Sequence, residues 1–190
     1  MRGSSRTRYR VSLRGFPPVI DPRVTTLILG SFPSERSLAK GQYYAHPQNQ
    51  FWRLVGRIVG EPLHEMRYEG RLDALLRHHI GLWDVLESCR RRGSLDSAIR
   101  DATHNQFERV TRVTGRLCRV CFNGKAAGQL EPYFAEQGYE TFVMPSSSPA
   151  NTVPISIKLR AWRRALTVRT GTVRKMAGHR SRVTGHPFQC

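Results

Sequence analysis

Residues 27–52 constrain the fold of this chain more than any other stretch. They open with three aliphatic residues, Leu27, Ile28 and Leu29, and turn sharply at residues 30–33 (GSFP). A short apolar run that ends in glycine and proline is typical of a buried strand followed by a turn. In open α/β sheets, ligands bind at the carboxyl ends of such strands. We therefore expect the chemistry of this protein in the polar and aromatic segment just after Leu29.

Apolar runs alternate with stretches of helical periodicity along the rest of the sequence. The patterns predict strands at residues 24–29, 80–86, 117–122 and 138–144, and helices at residues 51–59, 61–80, 107–113 and 155–166. This alternation indicates a three-layer α/β/α sandwich around a mostly parallel, four-stranded sheet. With 190 residues, we expect one domain at residues 21–168, a basic flexible arm at residues 1–20 and a basic, disordered tail at residues 169–190.

The formal charge of +17 is concentrated at the two ends of the chain. Residues 1–20 carry five basic and no acidic residues, and residues 141–190 carry nine and none, which leaves +3 for the part between them. Such an excess favours a polyanionic partner, because each neutralised phosphate releases condensed counterions. Solvated tails of an arginine-rich protein are the alternative explanation.

A membrane partner is not expected. A basic patch also suits an anionic membrane, but the sequence shows no basic amphipathic helix, and no run approaches the ~18 apolar residues that span a bilayer. The arginine-rich start lacks the apolar stretch of a signal peptide. A cytoplasmic location is the expectation that follows.

Four cysteines raise the question of a metal site. Cys118 and Cys121 have the CxxC spacing of metal ligands, but they lie in an apolar segment that is typical of a strand. Residues three apart on a strand point to opposite faces and cannot hold one ion. We therefore expect no metal, no cluster and no disulfide bond, and we interpret the cysteines as small buried side chains.

One acidic residue, Asp84, is embedded in an apolar run at residues 80–86 (IGLWDVL). A buried carboxylate costs free energy unless it is hydrogen-bonded, so Asp84 is either a pocket residue or a structural brace. The basic turn at residues 90–92 leads into Ser94, which has the character of a helix N-cap. Phosphate binding and simple solvation of these arginines are both open at this point.

Five segments, taken in order, resemble motifs of the uracil-DNA glycosylase superfamily. They are residues 30–52 (GSFPSERSLAKGQYYAHPQNQFW), 81–86 (GLWDVL), 93–97 (GSLDS), 122–127 (FNGKAA) and 145–151 (PSSSPAN). The hypoxanthine (deoxyinosine) branch is the most similar, and the mismatch-specific uracil/thymine branch is more distant. Members of the superfamily take a damaged base out of the duplex and hydrolyse its N-glycosidic bond.

The resemblance implies a base pocket and a catalytic amide. Many members place Asp or Asn two residues after the motif glycine to position water, but here that place is Phe32. In the hypoxanthine branch the amide is associated with the NxFW segment, which maps to Asn49. A histidine that stabilises the departing base in relatives is replaced by Met144. The implied base-binding residues are Gly30, Ser31, Phe32, Tyr44 and Asp84.

Contacts to DNA are expected from one loop and three basic residues. The loop after the last strand is small, polar and stiffened by proline, which suits close approach to a phosphate backbone. The turn at Lys125 exposes N–H groups that favour an anion, with simple packing as the alternative, and Arg160 and Arg163 lie on the final helix. The loop candidates are Ser146, Ser147, Ser148, Pro149 and Asn151. No cofactor is expected.

The sequence therefore predicts a monofunctional DNA glycosylase that removes a deaminated base, with hypoxanthine as the expected one. A uracil- or mismatch-specific glycosylase is one alternative. A catalytically inactive DNA-binding member of the fold is the other, suggested by Phe32 and Met144. The expected partner is double-stranded DNA, with single-stranded DNA as the alternative substrate, and the protein is expected to be a cytoplasmic monomer held on the nucleoid through DNA.

Overall fold

The computed structural model describes residues 12–167, which form alternating strands and helices. The strands are β1 (Leu13–Arg14), β2 (Thr26–Gly30), β3 (Ile80–Asp84), β4 (Leu86–Arg90), β5 (Arg100–His104), β6 (Arg119–Asn123) and β7 (Glu140–Met144). The helices are α1 (Glu35–Lys40), α2 (Phe51–Val59), α3 (Tyr68–Arg77), α4 (Glu108–Val113), α5 (Lys125–Gly128), α6 (Glu131–Glu136) and α7 (Ile155–Thr167). A short 3₁₀ helix, Asp96–Ala98, lies between β4 and β5.

Four parallel strands form the central sheet in the order β3-β2-β6-β7. Every residue of β2 and β3 is buried, because helices cover both faces and such strands become continuous apolar runs. Along β2, Leu27 and Leu29 belong to the core formed with α4, α5 and α6, whereas Ile28 belongs to the core formed with α2, α3 and α7. The predicted three-layer α/β/α sandwich is confirmed.

Helix α2 spans the residues that its periodicity predicted. It ends at Gly60, whose φ of 78° lies in the left-handed region that a helix C-cap requires. The helix predicted over residues 61–80 forms only at Tyr68–Arg77. Residues 61–67 make turns around Pro62 instead, because proline has no N–H to continue a helical hydrogen-bond ladder.

A second sheet, with three antiparallel strands in the order β1-β4-β5, was not predicted. Every residue of β5 is exposed, so this strand lacks the apolar alternation by which a sequence reveals a strand. The prediction that Ser94 caps a helix is wrong: the cap position of the 3₁₀ helix is Leu95, and the Ser94 hydroxyl accepts a hydrogen bond from the Glu35 N–H at 3.1 Å.

The folded part of the chain begins earlier than the predicted boundary at residue 21. Strand β1 pairs with β4, and the Phe16 ring packs on Tyr43 with 5.1 Å between ring centroids. Residues 12–20 are therefore not a free arm, because they contribute contacts to both the second sheet and the core. The rest of the predicted arm and tail lies outside the described residues.

The described segment offers neither a membrane span nor a cluster of metal ligands. No helix within residues 12–167 has the length and apolar character to cross a bilayer. In the same range, no group of three or more His, Cys, Asp or Glu side chains is placed to hold a metal ion. Cys118 Sγ donates to the Thr25 carbonyl at 3.4 Å, and Cys121 Sγ lies 3.9 Å from the Ala165 carbonyl.

Candidate active site

The carboxyl ends of the four central strands bring polar residues into one row. In the parallel register, Gly30 on β2 lies opposite Asp84 on β3, and Asn123 on β6 lies opposite Met144 on β7. Strands β2 and β6 are themselves neighbours. The sheet therefore gathers two predicted base-binding residues, Gly30 and Asp84, beside an amide that the sequence analysis did not assign to the site.

Asp84 is a buried carboxylic acid with an unpartnered oxygen. The residue is 3% exposed, and its Oδ2 has no hydrogen-bond partner among the described residues. Burial, reinforced by the charge of Asp96 and opposed by that of Arg91, raises the pKa of the carboxyl from 3.8 to about 7. At neutral pH both protonation states are populated. The group can therefore donate or accept a hydrogen bond.

Gly30 provides the space that Asp84 and Tyr44 occupy. A Cβ atom at Gly30 would lie 2.3 Å from Asp84 Oδ1 and 3.0 Å from Tyr44 Oη. The first of these distances is far below a normal contact, so a larger side chain would displace the carboxyl group. Glycine at this strand end allows the two polar groups to approach each other over the backbone.

Tyr44 presents a buried hydroxyl to the same space. Its Oη makes no hydrogen bond of regular geometry within the described part of the chain, although the Asn123 side-chain amide is close enough to oppose the rise in its pKa. Burial and then the nearby charge of Asp84 raise the pKa of the phenol well above its usual range, so the hydroxyl keeps its proton and can donate it. The backbone φ of 52° is unusual for a bulky residue, and such conformations cluster at functional sites.

The two aromatic base-binding candidates are placed differently. One face of the Tyr44 ring is covered by Phe51, with ring centroids 3.9 Å apart and planes 13° apart. The prediction that Tyr44 stacks on an extruded base therefore concerns its other face. The Phe32 ring is 7% exposed and packs in the core with Trp83 and Cys89. Its side chain is not presented to a base in this structure.

Asn49 is held in the turn that precedes α2. Its Oδ1 accepts a hydrogen bond from the Phe51 N–H at 3.0 Å, and its own N–H donates to the His46 carbonyl at 2.9 Å. The side-chain Nδ2 makes no hydrogen bond with the residues that the structure describes. The side-chain oxygen of the predicted catalytic amide thus makes a structural hydrogen bond, and its NH₂ group is available as a donor.

Gln50 connects this turn to the loop after β7. Its N–H donates to the Ser147 carbonyl at 3.0 Å. Its side-chain Oε1 is buried and finds no hydrogen-bond partner in residues 12–167. Gln50 therefore adds a third unpartnered polar atom to those of Asp84 and Tyr44, and it fixes the two loops to each other.

The loop after β7 is anchored on β6. Ser147 is fully buried and exchanges two hydrogen bonds with Asn123: its N–H donates to Oδ1 at 2.8 Å, and its Oγ accepts from Nδ2 at 2.9 Å. The expectation that the Ser147 hydroxyl contacts a phosphate is therefore corrected, because this hydroxyl is shielded and already bonded. Asn151 also braces the loop, since its Nδ2 donates to the Ser146 carbonyl at 3.1 Å.

The other DNA-contact candidates lie at or near the surface. Ser146 and Ser148 are half-buried, and Pro149, Lys125, Arg160 and Arg163 are exposed. Lys125 begins α5 directly after β6, so it lies at the same edge of the sheet as Asn123. Arg160 and Arg163 flank Trp162, whose indole N–H donates to the Pro145 carbonyl at 2.9 Å. Phosphate contacts by these residues stay predictions.

The loop at residues 31–35 is fastened to the segment between β4 and β5. The Ser31 hydroxyl donates to Asp96 Oδ1 at 2.6 Å. The Gly93 N–H donates to Glu35 Oε1 at 2.8 Å, in addition to the bond between the Glu35 N–H and Ser94. The unpredicted second sheet therefore holds the loop that follows β2, and the Ser31 hydroxyl is already engaged with a carboxylate.

Sequence reasoning missed four residues of this site: Gln50, Arg91, Asp96 and Asn123. Asn123 had a usable signal, because it ends a buried strand and the carboxyl ends of parallel strands meet at one edge. Arg91 had none. It was interpreted together with its exposed neighbours in the basic turn, but it is buried.

Comparisons with known proteins identify the family of this chain. Residues 17–167 match the family described as "Uracil DNA glycosylase superfamily". A protein of Methanosarcina barkeri named "Hypoxanthine DNA glycosylase" is 46% identical over 152 residues, covering 80% of this chain and 96% of the relative. A protein of Methanosarcina acetivorans with the same name is 50% identical over 138 residues, covering 73% and 87%.

A solved structure is also similar. The solution NMR structure of a candidate uracil DNA glycosylase from Methanosarcina acetivorans has a TM-score of 0.75 at 44% sequence identity, covering 82% of this chain and 97% of that one. The family match includes all four strand ends and both loops of the site. The chain belongs to the uracil DNA glycosylase superfamily, as its motifs predicted.

Proposed function

We propose that this protein is a monofunctional DNA glycosylase that hydrolyses the N-glycosidic bond of deoxyinosine and releases hypoxanthine. The observation that carries the proposal is the pair of buried, unpartnered groups over Gly30, the Asp84 carboxyl and the Tyr44 hydroxyl. Two relatives at 46% and 50% identity are named hypoxanthine DNA glycosylase. The chemistry of the two groups agrees with that base.

The two groups match the edge of hypoxanthine, which presents a ring N–H at position 1 next to a carbonyl at position 6. The Asp84 carboxylate can accept from the N–H, and the Tyr44 hydroxyl can donate to the carbonyl. Adenine carries an acceptor and a donor at these two places in the reverse order. A buried polar group left unpaired costs about 1–3 kcal/mol, so this edge favours the deaminated base when Asp84 is ionised.

Uracil presents the same adjacent N–H and carbonyl, so this edge alone does not separate the two deaminated bases. We assign the preference for hypoxanthine to the size of the pocket and to leaving-group chemistry. A purine fills more space than a pyrimidine, and a pocket shaped for the larger base packs less completely around the smaller one.

In the proposed reaction, Asn49 orients the hydrolytic water. The bond between C1′ and N9 breaks with its electron pair on N9, the water oxygen bonds to C1′, and the proton lost by water ends on the released base. An amide has no accessible pKa, so Asn49 can orient water and stabilise charge but cannot take that proton. Its contacts to His46 and Phe51 hold the amide in place, and the rate rests on positioning and electrostatics.

The substrate we propose is double-stranded DNA, and the protein we propose is a cytoplasmic monomer that associates with the nucleoid. A base inside a duplex is inaccessible to hydrolysis, so the nucleotide must be flipped out of the stack into the site. The formal charge of +17 and the exposed Lys125 at the edge of the site support binding to a phosphate backbone.

Single-turnover excision from labelled duplexes, followed by alkali cleavage at the abasic site, tests the proposal. Matched duplexes carry deoxyinosine, deoxyuridine, deoxyxanthosine or unmodified deoxyadenosine at one position, and the unpaired strands test strand preference. We expect deoxyinosine to be excised fastest and deoxyadenosine not to be excised. Faster excision of deoxyuridine opposite every base would instead indicate a uracil glycosylase, and excision of no base would indicate the inactive DNA-binding member that Phe32 and Met144 suggest.

A further inference from the structure

Arg91 follows β4 and is buried against the loop at residues 31–35. The residue is 8% exposed. Its Nη2 donates to the Pro33 carbonyl, and the guanidinium carbon lies 5.2 Å from the centre of the Phe32 ring. Its Nε and Nη1 are buried and have no hydrogen-bond partner in the described part of the chain. The side chain is thus a buried cation with two unsatisfied donors.

No carboxylate in the described range forms an ion pair with Arg91, although its charge acts on the Asp84 carboxyl from a distance. The acids of the two adjoining loops have other partners, since Glu35 accepts from the Gly93 N–H and Asp96 accepts from the Ser31 hydroxyl. Burial of an uncompensated charge destabilises a folded protein. A purely structural residue would avoid this cost.

The hydrogen bond of Arg91 does not require its charge, because a neutral amide could donate to the Pro33 carbonyl. The cation–π contact with the Phe32 ring does use the charge, but an apolar side chain could cover the same ring. What the guanidinium adds is a positive potential in a water-poor region, where a charge acts more strongly than in solvent. That potential reaches Asp84, which we propose reads the base, because it opposes the rise in the pKa of this carboxyl.

We propose that Arg91 is a positioning residue of the glycosylase reaction, which fixes the loop after β2 through Pro33 and supplies positive potential that stabilises the departing base. The inference rests on the proposed function. When the C1′–N9 bond breaks, the electron pair and hence the negative charge pass to the base. Met144, which is 2% exposed at the end of β7, carries a thioether that cannot stabilise this charge. A preorganised buried cation can.

Two substitutions separate the charge of Arg91 from its hydrogen bond. Arg91→Gln keeps a donor for the Pro33 carbonyl and removes the charge, whereas Arg91→Lys keeps the charge and removes the planar fork. Arg90→Gln is the matched control, because Arg90 is exposed and pairs with Asp101 at 3.2 Å. The full-length proteins are compared by single-turnover excision of deoxyinosine, by the Kd for the duplex and by thermal unfolding.

We expect Arg91→Gln to lower the excision rate by at least about 10²-fold, the scale of losing one preorganised electrostatic group, with its Kd within about threefold of the parent since the side chain is buried. Arg91→Lys should be at least about tenfold faster than Arg91→Gln, as rescue by charge requires. Arg90→Gln should excise at the parental rate. Parental excision by Arg91→Gln, or equal rates for the Gln and Lys variants, would overturn the inference.

A folding defect in Arg91→Gln would still leave the inference testable. If this variant does not unfold cooperatively, the excision rate of Arg91→Lys is the test. A rate less than about 30-fold below that of the parent supports the role of the charge, and a lower rate contradicts it, on the scale of one electrostatic group. Failure of the parental protein to excise deoxyinosine is a different result. It would refute the proposed function and not only the role of Arg91.

Discussion

The raised pKa of the Asp84 carboxyl predicts that this group makes the stability of the protein depend on pH, and Asp84→Asn should remove its contribution. The substitution replaces a buried acid with a neutral amide of the same shape. The amide fits the same space over Gly30 as the carboxyl. That space is tight, because a Cβ atom at position 30 would lie 2.3 Å from Asp84 Oδ1. The comparison of parent and variant therefore isolates the ionisation of one group in an unchanged packing environment.

The magnitude follows from the pKa of the folded protein. That pKa, about 7, lies above the ordinary value of 3.8, so the folded state binds the proton more tightly than the unfolded state. The stability that the protonated acid contributes is fully present below the unfolded pKa and is lost as the pH rises through the folded one. Relative to a carboxyl with an unshifted pKa, the folded state loses about 4 kcal/mol above about pH 8, where the buried group is ionised, at 1.36 kcal/mol per pKa unit. Near pH 5.5 it loses about 2 kcal/mol, because the group must take up a proton when the protein folds.

Thermal unfolding of parent and variant at these two pH values measures the effect. In a domain of this size, about 1 kcal/mol changes Tm by roughly 2–4 °C. The variant should therefore unfold about 10 °C above the parent near pH 8.5, and the gap should shrink to about half near pH 5.5. A gap that is the same at both pH values would refute the assignment of a raised pKa to Asp84.

The excision rate provides a second readout of the same group. In the proposed function, ionised Asp84 accepts the N–H of hypoxanthine, so excision by the parent should rise as the pH passes through about 7. The amide of Asp84→Asn keeps a carbonyl acceptor that does not titrate. Its excision rate should therefore be independent of pH in this range.

Three further predictions concern the turn before α2 and the ends of the chain. Asn49→Ala should lower single-turnover excision by at least about 10²-fold. Asn49→Asp keeps the acceptor for the Phe51 N–H, so its Tm should match that of the parent, while its negative charge keeps excision slow. Parental excision rates for both variants would place catalysis elsewhere. Tyr44→Phe should cost up to about tenfold, one hydrogen bond, and Tyr44→Ala should cost more, because it also removes the ring that carries the hydroxyl and packs on Phe51; an unaffected Ala variant would show that the ring serves only the core. Deletion of residues 1–11 and 170–190 should weaken the salt dependence of the duplex Kd. The log–log slope should fall by about 0.9 for each phosphate that the ends neutralise in the parent, and the excision rate at saturation should be unchanged. An identical slope would contradict a role of the ends in binding DNA.

The apolar parts of the fold could be predicted from the sequence, and the polar parts could not. Strand β2 and helix α2 carry strong local patterns, because burial on a sheet or on one face of a helix demands apolar side chains at fixed spacing. Strand β5 has no such pattern, since its residues are all exposed and its pairing with β4 is provided by the backbone. The missed boundary has the same origin, because β1 is only two residues long.

The candidate site divides in a similar way. Asp84 could be found from physics alone, as a single acid in an apolar run, whereas Asn49 and Tyr44 were assigned from the resemblance. The burial of long basic side chains depends on tertiary contacts that local sequence does not encode. Lys158 of α7 is fully buried, and its Nζ donates to the Asn151 carbonyl at 2.8 Å. Arg91 was missed for the same reason.

The residues that we propose for base recognition and for catalysis share one anchor in this structure, the amino-terminal end of α2. Tyr44, which we place against the base, stacks on the ring of Phe51, and Asn49, which we place against the water, accepts the backbone N–H of the same residue. Phe51 is fully buried, so both groups are fixed to a rigid helix terminus, and Gln50 ties this terminus to the Ser147 carbonyl across the site. A displacement of about 1 Å can cost about 10²-fold in rate. In the proposed function, the water-orienting amide of Asn49 lies at the end of the loop after β2, whereas Phe32, at the start of the same loop, lies in the core. Asn49 can take this role because helix α2 supplies the rigidity that positioning of the water requires.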